Sequence, residues 1–193
     1  MHEPLSLPLA RSAVDRDNVA RSIPDFLNTL WSDDTARVLV LTDGKTLLEG
    51  PADTPSPALR LLTVGQLAEL RAGNNIERDA YLGFTVEAQG QVPAGTKIIL
   101  AILDAAGANA IEPDPDAWHG LRRTGAGLSA RDAGLYAEAL ALANWHETHL
   151  YCPRCGQATV VEEAGWVRKC VVDGHQIFPR TDPAIIVSVI DQH

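Results

Sequence analysis

The sequence predicts an α+β fold: a small mixed sheet with short helices, then a long linking helix, then a cysteine-rich β element. Three observations lead to this prediction. Short apolar runs such as "RVLVL" at 37–41 alternate with turn signals over the first hundred residues. One long segment rich in Ala and Leu follows at 130–150. All three cysteines lie between Cys152 and Cys170.

The composition restricts the class of protein. The chain has 193 residues, 46% of them hydrophobic and 21% charged, which is enough for one large or two small globular domains. A net charge of -9 argues against a surface that coats nucleic acid. The N-terminus lacks the apolar run of a signal peptide, and no apolar stretch approaches a membrane span. We therefore expect a cytoplasmic protein.

The first half of the chain predicts five strands and a short helix. "RVLVL" stops at Asp43-Gly44, a hairpin signal, so "KTLLEG" at 45–50 is predicted to be the return strand. "LRLLTVGQLAELRAG" predicts a strand and a short helix that ends at Gly73. Two further strands are predicted in "DAYLGFTVEA" and "TKIILAILD". We assign residues 1–128 to an N-terminal α+β domain.

The segment "ARDAGLYAEALALANWHETHL" at 130–150 is the clearest helix signal. Ser129 and Asp132 have the form of a capping box at its start. Its apolar face comprises Leu135, Ala139, Leu140, Leu142 and Trp145. His146 and His149 lie near its C-terminus, where a positive charge would be favourable. We assign residues 129–150 to a linking helix.

A zinc knuckle is a turn in which two metal ligands are separated by two residues and followed by a glycine. The cysteines of this sequence form one complete knuckle and one in which a ligand is altered. Cys152-Pro-Arg-Cys155 is followed by a glycine, and the C-x2-C turn points two thiolates at one tetrahedral centre. Fourteen residues separate Cys155 from Cys170, where Cys170-Val-Val-Asp173-Gly174 repeats the pattern with a carboxylate in place of the last thiol. The segment between them, "TVVEEAGWVRK", predicts two strands around a turn. We assign residues 151–183 to a zinc ribbon.

Three interpretations of this ribbon remain open. In the first, a structural Zn²⁺ is bound by the three cysteines and either Asp173 or His175, both acceptable zinc ligands. In the second, the ribbon holds no metal and depends on packing of Trp166, Val167 and Phe178. In the third, Cys152 and Cys155 form a redox pair, although the βαβ context of such pairs is missing. Three thiols at ribbon spacing favour zinc.

The order of these features resembles the NADH pyrophosphatase subfamily of Nudix hydrolases. The matching stretches are "GLRR" at 120–123, the helix end "WHETHLYCPRCG", "GWVRKC", and the exit "FPRTDPAIIVSVID". The last is similar to the entry of that family into its first Nudix strand. The resemblance is strong from about residue 117 onwards and weak over the first hundred residues.

The resemblance implies an activity that this chain would carry only in part. Family members cleave NADH to NMNH and AMP, and some remove NAD caps from RNA 5′ ends. They act as homodimers and use Mg²⁺ or Mn²⁺ held by glutamates of a Nudix box. The sequence contains only "EEAG" at 162–165, without the upstream Arg-Glu, and we interpret it as a solvated turn. We therefore expect residues 184–193 to be the first strand of a truncated Nudix domain and the chain alone to be inactive.

The resemblance also implies substrate-binding residues. Phe178 matches a family aromatic that stacks on nicotinamide across the dimer, and Ile186 matches an apolar substrate-lining position. Arg122 alone would be interpreted as solvated surface, but it matches a family arginine that contacts substrate. Asp173 is where this sequence departs from the family pattern, because most of the family has Cys at this position. The alternative function is a stand-alone zinc-ribbon module that binds a protein or RNA without catalysis.

Overall fold

A computed structural model describes residues 13–50, 54 and 56–180 of the chain. The strands in this part are β1 Val14–Asp15, β2 Arg37–Leu41, β3 Lys45–Glu49, β4 Ala58–Leu59, β5 Leu62–Thr63, β6 Ile76–Thr85, β7 Lys97–Leu103, β8 Trp118–Gly120, β9 Thr159–Glu162, β10 Val167–Cys170 and β11 Gln176–Ile177. The α-helices are α1 Phe26–Leu30, α2 Ala68–Ala72, α3 Ala105–Ile111, α4 Leu121–Thr124 and α5 Ala130–Thr148. The predicted α+β class is confirmed.

The largest sheet has five strands in the order β1-β6-β7-β2-β5. Its centre is a parallel pair, β2 with β7, in which Arg37 lies opposite Ile98 and Leu41 opposite Ile102. The other pairings in this sheet are antiparallel. Two small sheets complete the described fold, β4-β3-β8 in the N-terminal half and β11-β10-β9 in the ribbon.

Apolar side chains cover both faces of the large sheet. On one face α5 packs against the strands, with Leu135, Tyr136, Ala139, Leu142 and Trp145 in one buried cluster with Leu39, Leu82 and Leu100. On the other face α1, α3 and their loops pack over Val38, Val40, Ile99 and Ala101. Both sides of β2 and β7 are therefore buried, which explains why their sequences are continuously apolar rather than alternating.

The predicted hairpin after β2 is correct in its turn and wrong in its pairing. Asp43 and Gly44 adopt left-handed φ values of 48° and 70°, as a tight two-residue turn requires. Only one bridge, Thr42 to Lys45, joins the two arms, and β3 then leaves the sheet. It pairs with β4 and β8 instead. Its three central residues are buried, so tertiary packing decides its partner.

The linking helix begins with the predicted cap. The Ser129 Oγ accepts a hydrogen bond from the Asp132 backbone N–H at 3.1 Å. The Asp132 carboxylate is fully buried, where it accepts from Leu59 N–H at 2.9 Å and pairs with Arg131 at 2.7 Å. The start of α5 is therefore tied to β4 as well as capped. No helix in the described residues is long and apolar enough to cross a bilayer.

Candidate functional site

The first knuckle is a tight turn closed by backbone hydrogen bonds. Cys152 N–H donates to Gln157 O at 2.7 Å, and Gly156 N–H donates to Cys152 O at 2.9 Å. Gly156 has φ +72°, a left-handed conformation that a residue with a Cβ rarely adopts. The glycine after the C-x2-C motif is therefore a requirement of the turn that points Cys152 and Cys155 the same way.

The second knuckle repeats this geometry around a different ligand. Cys170 N–H donates to His175 O at 2.9 Å, and Gly174 N–H donates to Cys170 O at 3.2 Å. Gly174 has φ +70°, close to the value at Gly156. Asp173 therefore stands where the last ligand of a regular knuckle would stand. Its Oδ1 also accepts from the His175 N–H at 2.9 Å, which orients the carboxylate.

The two knuckles bring four potential metal ligands together. Ligand atoms of Cys152, Cys155, Cys170 and Asp173 all lie within 4.8 Å of one another. The Sγ atoms of Cys155 and Cys170 are 3.4 Å apart, and Cys152 Sγ is 3.8 Å from an Asp173 carboxylate oxygen. His175, the alternative fourth ligand, is not a member of this group. Three thiols and one carboxylate, close enough to share one tetrahedral ion, fit Zn²⁺.

The electrostatics of the cluster also favour a cation. Hydrogen bonds from the His175 amide and from Cys170 lower the pKa of Asp173, so the carboxylate is ionised. The Gln157 amide acts to lower the pKa of Cys155, but its neighbours Cys170 and Cys152 outweigh that amide and raise the pKa to about 11. Three thiols beside a carboxylate cannot all ionise without a compensating charge. A bound Zn²⁺ would supply that charge and cross-link the two knuckles.

The ribbon is anchored to the N-terminal sheet through the turn between β9 and β10. Trp166 Nε1 donates to Tyr81 O at 2.6 Å. Gly165 packs so closely on β6 that an added Cβ would lie 2.3 Å from the Ala80 Cβ. The sequence pattern predicts a solvated turn at 162–165. That prediction is wrong for Gly165, which is buried against the sheet.

His146 forms the second anchor of the ribbon. Arg168 Nη1 lies 3.2 Å from His146 Nδ1, and His146 Nε2 lies 2.9 Å from Gly165 O. A guanidinium only donates, so Nδ1 must accept and Nε2 must carry the proton. Burial and the Arg168 charge lower the pKa of His146 to about 4. The expectation of a charged His146 at the helix end is wrong, because this histidine is buried and neutral.

This histidine should make folding stability depend on pH. His146 has a folded pKa of about 4 against an ordinary value of 6.5, so the unfolded chain takes up the proton first. The contribution is present above pH 6.5 and declines as pH falls towards 4, by up to about 1.4 kcal/mol per pH unit. His146→Gln should flatten this part of the pH dependence in urea titrations. Parallel curves for the parent chain and the variant would contradict the assignment.

The predicted substrate residues are not brought together in the described structure. Phe178 follows β11, is 56% exposed, and lines a cleft beside the ribbon. Arg122 lies in α4, is exposed, and does not line that cleft. Ile186 lies outside the described residues. Arg21, which does line the cleft, is missed by sequence reasoning because the first thirty residues carry no regular pattern.

Comparison with known families agrees with this architecture. Residues 35–145 match the family model described as an NADH pyrophosphatase-like rudimentary NUDIX domain. The chain belongs to the NADH pyrophosphatase family of Nudix hydrolases. Residues 147–178 match the NADH pyrophosphatase zinc ribbon domain, which includes all four clustered ligands. The resemblance inferred from sequence is confirmed, and a Nudix-like character of residues 35–145 is added to it.

Several curated proteins are similar to part of the chain. The human NAD-capped RNA hydrolase NUDT12 is 35% identical over 71 residues, which cover 33% of this chain and 15% of that protein. The NAD-capped RNA hydrolase NudC of Mycobacterium tuberculosis is 38% identical over 71 residues, 37% of this chain and 23% of that protein. The human mitochondrial NAD(P)H pyrophosphatase NUDT13 is 41% identical over 64 residues, 33% and 18% of the two chains. Each alignment thus spans less than a quarter of the relative.

Proposed function

We propose that this chain contributes to hydrolysis of the pyrophosphate bond of NAD(H), giving NMNH and AMP from NADH, or of the NAD cap of RNA. The observation that carries the proposal is the position of Phe178. Its exposed ring follows a ribbon that is hydrogen-bonded to the N-terminal sheet through Trp166 and to α5 through the contact of Gly165 O with His146. An aromatic ring held this way can stack on a nicotinamide or purine. The names of the relatives, NAD-capped RNA hydrolase and NAD(P)H pyrophosphatase, support the substrate class.

Zinc has a structural part in this proposal. The ion would be held by the four clustered ligands, Cys152, Cys155, Cys170 and Asp173. It would thereby fix the two knuckles relative to each other. The exit that carries Phe178 begins at β11, which pairs with β10 directly before Cys170. Arg168, in β10, donates twice to Thr159 on the neighbouring strand. Protein hydrogen bonds and the metal together would orient the exit.

The other parts of the active enzyme are also proposals. Hydrolysis would require Mg²⁺ or Mn²⁺ held by the glutamates of a Nudix box, and residues 1–193 contain no complete box. We propose that the chain alone is inactive and that it functions as a homodimer in which Phe178 and Ile186 contact the substrate. Exposed apolar ribbon residues support an interface there: Tyr151, Val160, Val161, Val171 and Val172.

Binding of NADH to the zinc-loaded chain tests the proposal. Phe178→Ala should weaken NADH binding by roughly 5- to 150-fold, the worth of one stacked base. Arg122→Gln should also weaken it, through loss of a guanidinium contact with phosphate. Val86→Ala is the control, because Val86 is an exposed valine outside the ribbon that does not line the cleft. Calorimetric titration with NADH measures the affinities. Release of AMP in the presence of Mn²⁺ measures the hydrolytic activity. Equal NADH affinity for the parent and Phe178→Ala would overturn the proposal.

A further inference from the structure

The sulfur atoms of Cys155 and Cys170 are in contact across the two knuckles. Their Sγ atoms are 3.4 Å apart, whereas Cys152 Sγ lies 3.8 Å from a carboxylate oxygen of Asp173. Cys155 belongs to the first knuckle and Cys170 to the second. A bond between these two sulfurs would therefore join the same two turns that a bound zinc ion would join.

Cys155 is the cysteine of the cluster that a solute can reach. It is exposed, whereas Cys152 and Cys170 are buried. Redox-sensitive cysteines are accessible thiolates that lie beside a second thiol, which reacts with the first oxidation product. Zinc binding would hold Cys155 and Cys170 as thiolates, because a metal ligand has to be deprotonated. The pair therefore combines an accessible sulfur with a neighbouring one that can resolve its oxidation.

Cys170 is fixed in a position where the exposed sulfur can meet it. It is the last residue of β10 and lies opposite Thr159 of β9. Its N–H donates to His175 O at 2.9 Å, and its Sγ accepts from the Val172 N–H at 3.5 Å. Cys155 instead lies in an exposed turn. A rotation of its side chain would bring the two sulfurs to the disulfide bond length of about 2 Å.

The carboxylate at Asp173 makes release of the metal the expected result of oxidation. A disulfide between Cys155 and Cys170 would leave one thiol, Cys152, and one carboxylate, Asp173, in the cluster. A structural zinc site uses four ligands, and a carboxylate is a harder ligand than a thiolate. A regular ribbon with a fourth cysteine would keep two thiolates after the same reaction, whereas this one keeps a single thiolate.

The attachment of the ribbon to the sheet does not use the thiols. Trp166 Nε1 donates to Tyr81 O at 2.6 Å, and Gly165 packs on Ala80. A disulfide across a loop of about 15 residues also stabilises a fold by constraining the unfolded chain. We therefore expect the oxidised ribbon to remain folded and docked after it has lost the metal.

We propose that Cys155 and Cys170 are a peroxide-sensitive pair, which binds zinc when reduced and forms a disulfide when oxidised. The Cys155 thiolate attacks the O–O bond of hydrogen peroxide and becomes a sulfenic acid, while hydroxide leaves. The Cys170 thiolate then attacks that sulfur, and the S–S bond forms as a second hydroxide leaves. The two thiolates lose two electrons, and the peroxide gains them and ends as two water molecules after protonation. The inference is independent of the proposed function, because it involves neither NADH nor Phe178.

Treatment of the zinc-loaded chain with hydrogen peroxide tests the inference. A chromogenic chelator measures released zinc, and mass spectrometry after blocking of free thiols identifies the disulfide. Trypsin cleaves after Arg154 and Lys169, so the three cysteines fall on separate peptides and each disulfide has its own mass. We expect one zinc ion released for each Cys155–Cys170 disulfide, and dithiothreitol with added zinc should restore the loaded chain. Zinc that stays bound, or a Cys152–Cys155 disulfide as the main product, would overturn the inference.

Two cysteine variants assign the roles of the sulfurs. Cys152→Ser keeps the reacting pair and should still form the Cys155–Cys170 disulfide. Cys170→Ser should stop at the Cys155 sulfenic acid, which dimedone labels, and should form any disulfide at least about tenfold more slowly than the parent. Peptide mapping needs no bound metal, so both variants are informative even if they hold less zinc. A Cys170→Ser chain that forms a disulfide as fast as the parent contradicts the assignment of Cys170.

Discussion

Replacing Cys155 by serine is expected to remove most of the bound zinc and to lower the Tm by roughly 10 °C, about 3 kcal/mol for a chain of this size. Cys155 Sγ lies 3.4 Å from Cys170 Sγ, within the group of four ligand atoms. Its side chain is exposed, so the substitution leaves no cavity in the core. Loss of stability would therefore report loss of the metal. Elemental analysis gives zinc per chain, and calorimetry gives the Tm.

The control for this variant is Gln157→Ser in the same ribbon. The Gln157 side chain is exposed and is not one of the four clustered ligands, so zinc content should be unchanged and the Tm nearly so. If Cys155→Ser retains one zinc per chain and the parental Tm, Cys155 is not a zinc ligand. If the parent holds no zinc and Cys155→Ser keeps the parental Tm, the metal-free interpretation of the ribbon is correct. If the parent holds no zinc but Cys152 and Cys155 oxidise and reduce reversibly as a pair, the redox interpretation is correct.

The same assay identifies the fourth ligand. Asp173→Ala should weaken zinc binding at least about 100-fold, because even outer-shell partners of metal ligands are worth about 10–100-fold. His175→Ala should have a small effect, because the hydrogen bonds of His175 to Asp173 and Cys170 use its backbone. A larger loss in His175→Ala than in Asp173→Ala would reverse the assignment.

The local geometry of the zinc site is predictable from the sequence. A knuckle needs a cysteine, a ligand three residues later and a glycine after it, all within five residues. Those requirements predict Asp173 as a ligand, with His175 as the alternative, and in the structure Asp173 is the one grouped with the three thiols. The cap at Ser129 is predictable for the same reason, since its partner Asp132 is three residues away.

Long-range contacts are not predictable in this way. β3 follows a correct turn signal, but its pairing with β8 joins residues about seventy positions apart. Arg21 lies over Trp166, and no periodicity links positions so far apart in the chain. The position of His146 at a helix end suggests that its imidazole is charged. Its contacts with Arg168 and Gly165, which show otherwise, cannot be inferred from the sequence. In each of these cases the prediction fails because the surroundings of the residue are formed by a segment that is distant in the sequence.

The docking of the ribbon is such a contact, and Gly165→Ala should disrupt it. Gly165 has φ +96°, a conformation that side chains with a Cβ rarely adopt. Its added Cβ would lie 2.3 Å from the Ala80 Cβ, and both atoms belong to short, rigid side chains. Backbone strain and overpacking, about 1–3 kcal/mol each, should together destabilise the fold by roughly 3–5 kcal/mol. Urea titration measures the free energy of unfolding.

Gly90→Ala separates the two causes. Gly90 also has a positive φ, +59°, but nothing lies within 4 Å of its added Cβ. The free energy of unfolding of this variant should fall by only about 1 kcal/mol, the cost of the backbone conformation.

Trp166→Phe should remove the hydrogen bond to Tyr81 O and lower the free energy of unfolding by about 1 kcal/mol without backbone strain. If Gly165→Ala is no less stable than Gly90→Ala, the ribbon does not depend on close contact with β6. If Gly165→Ala retains zinc while losing NADH binding, the two knuckles form independently and the docking serves to position Phe178.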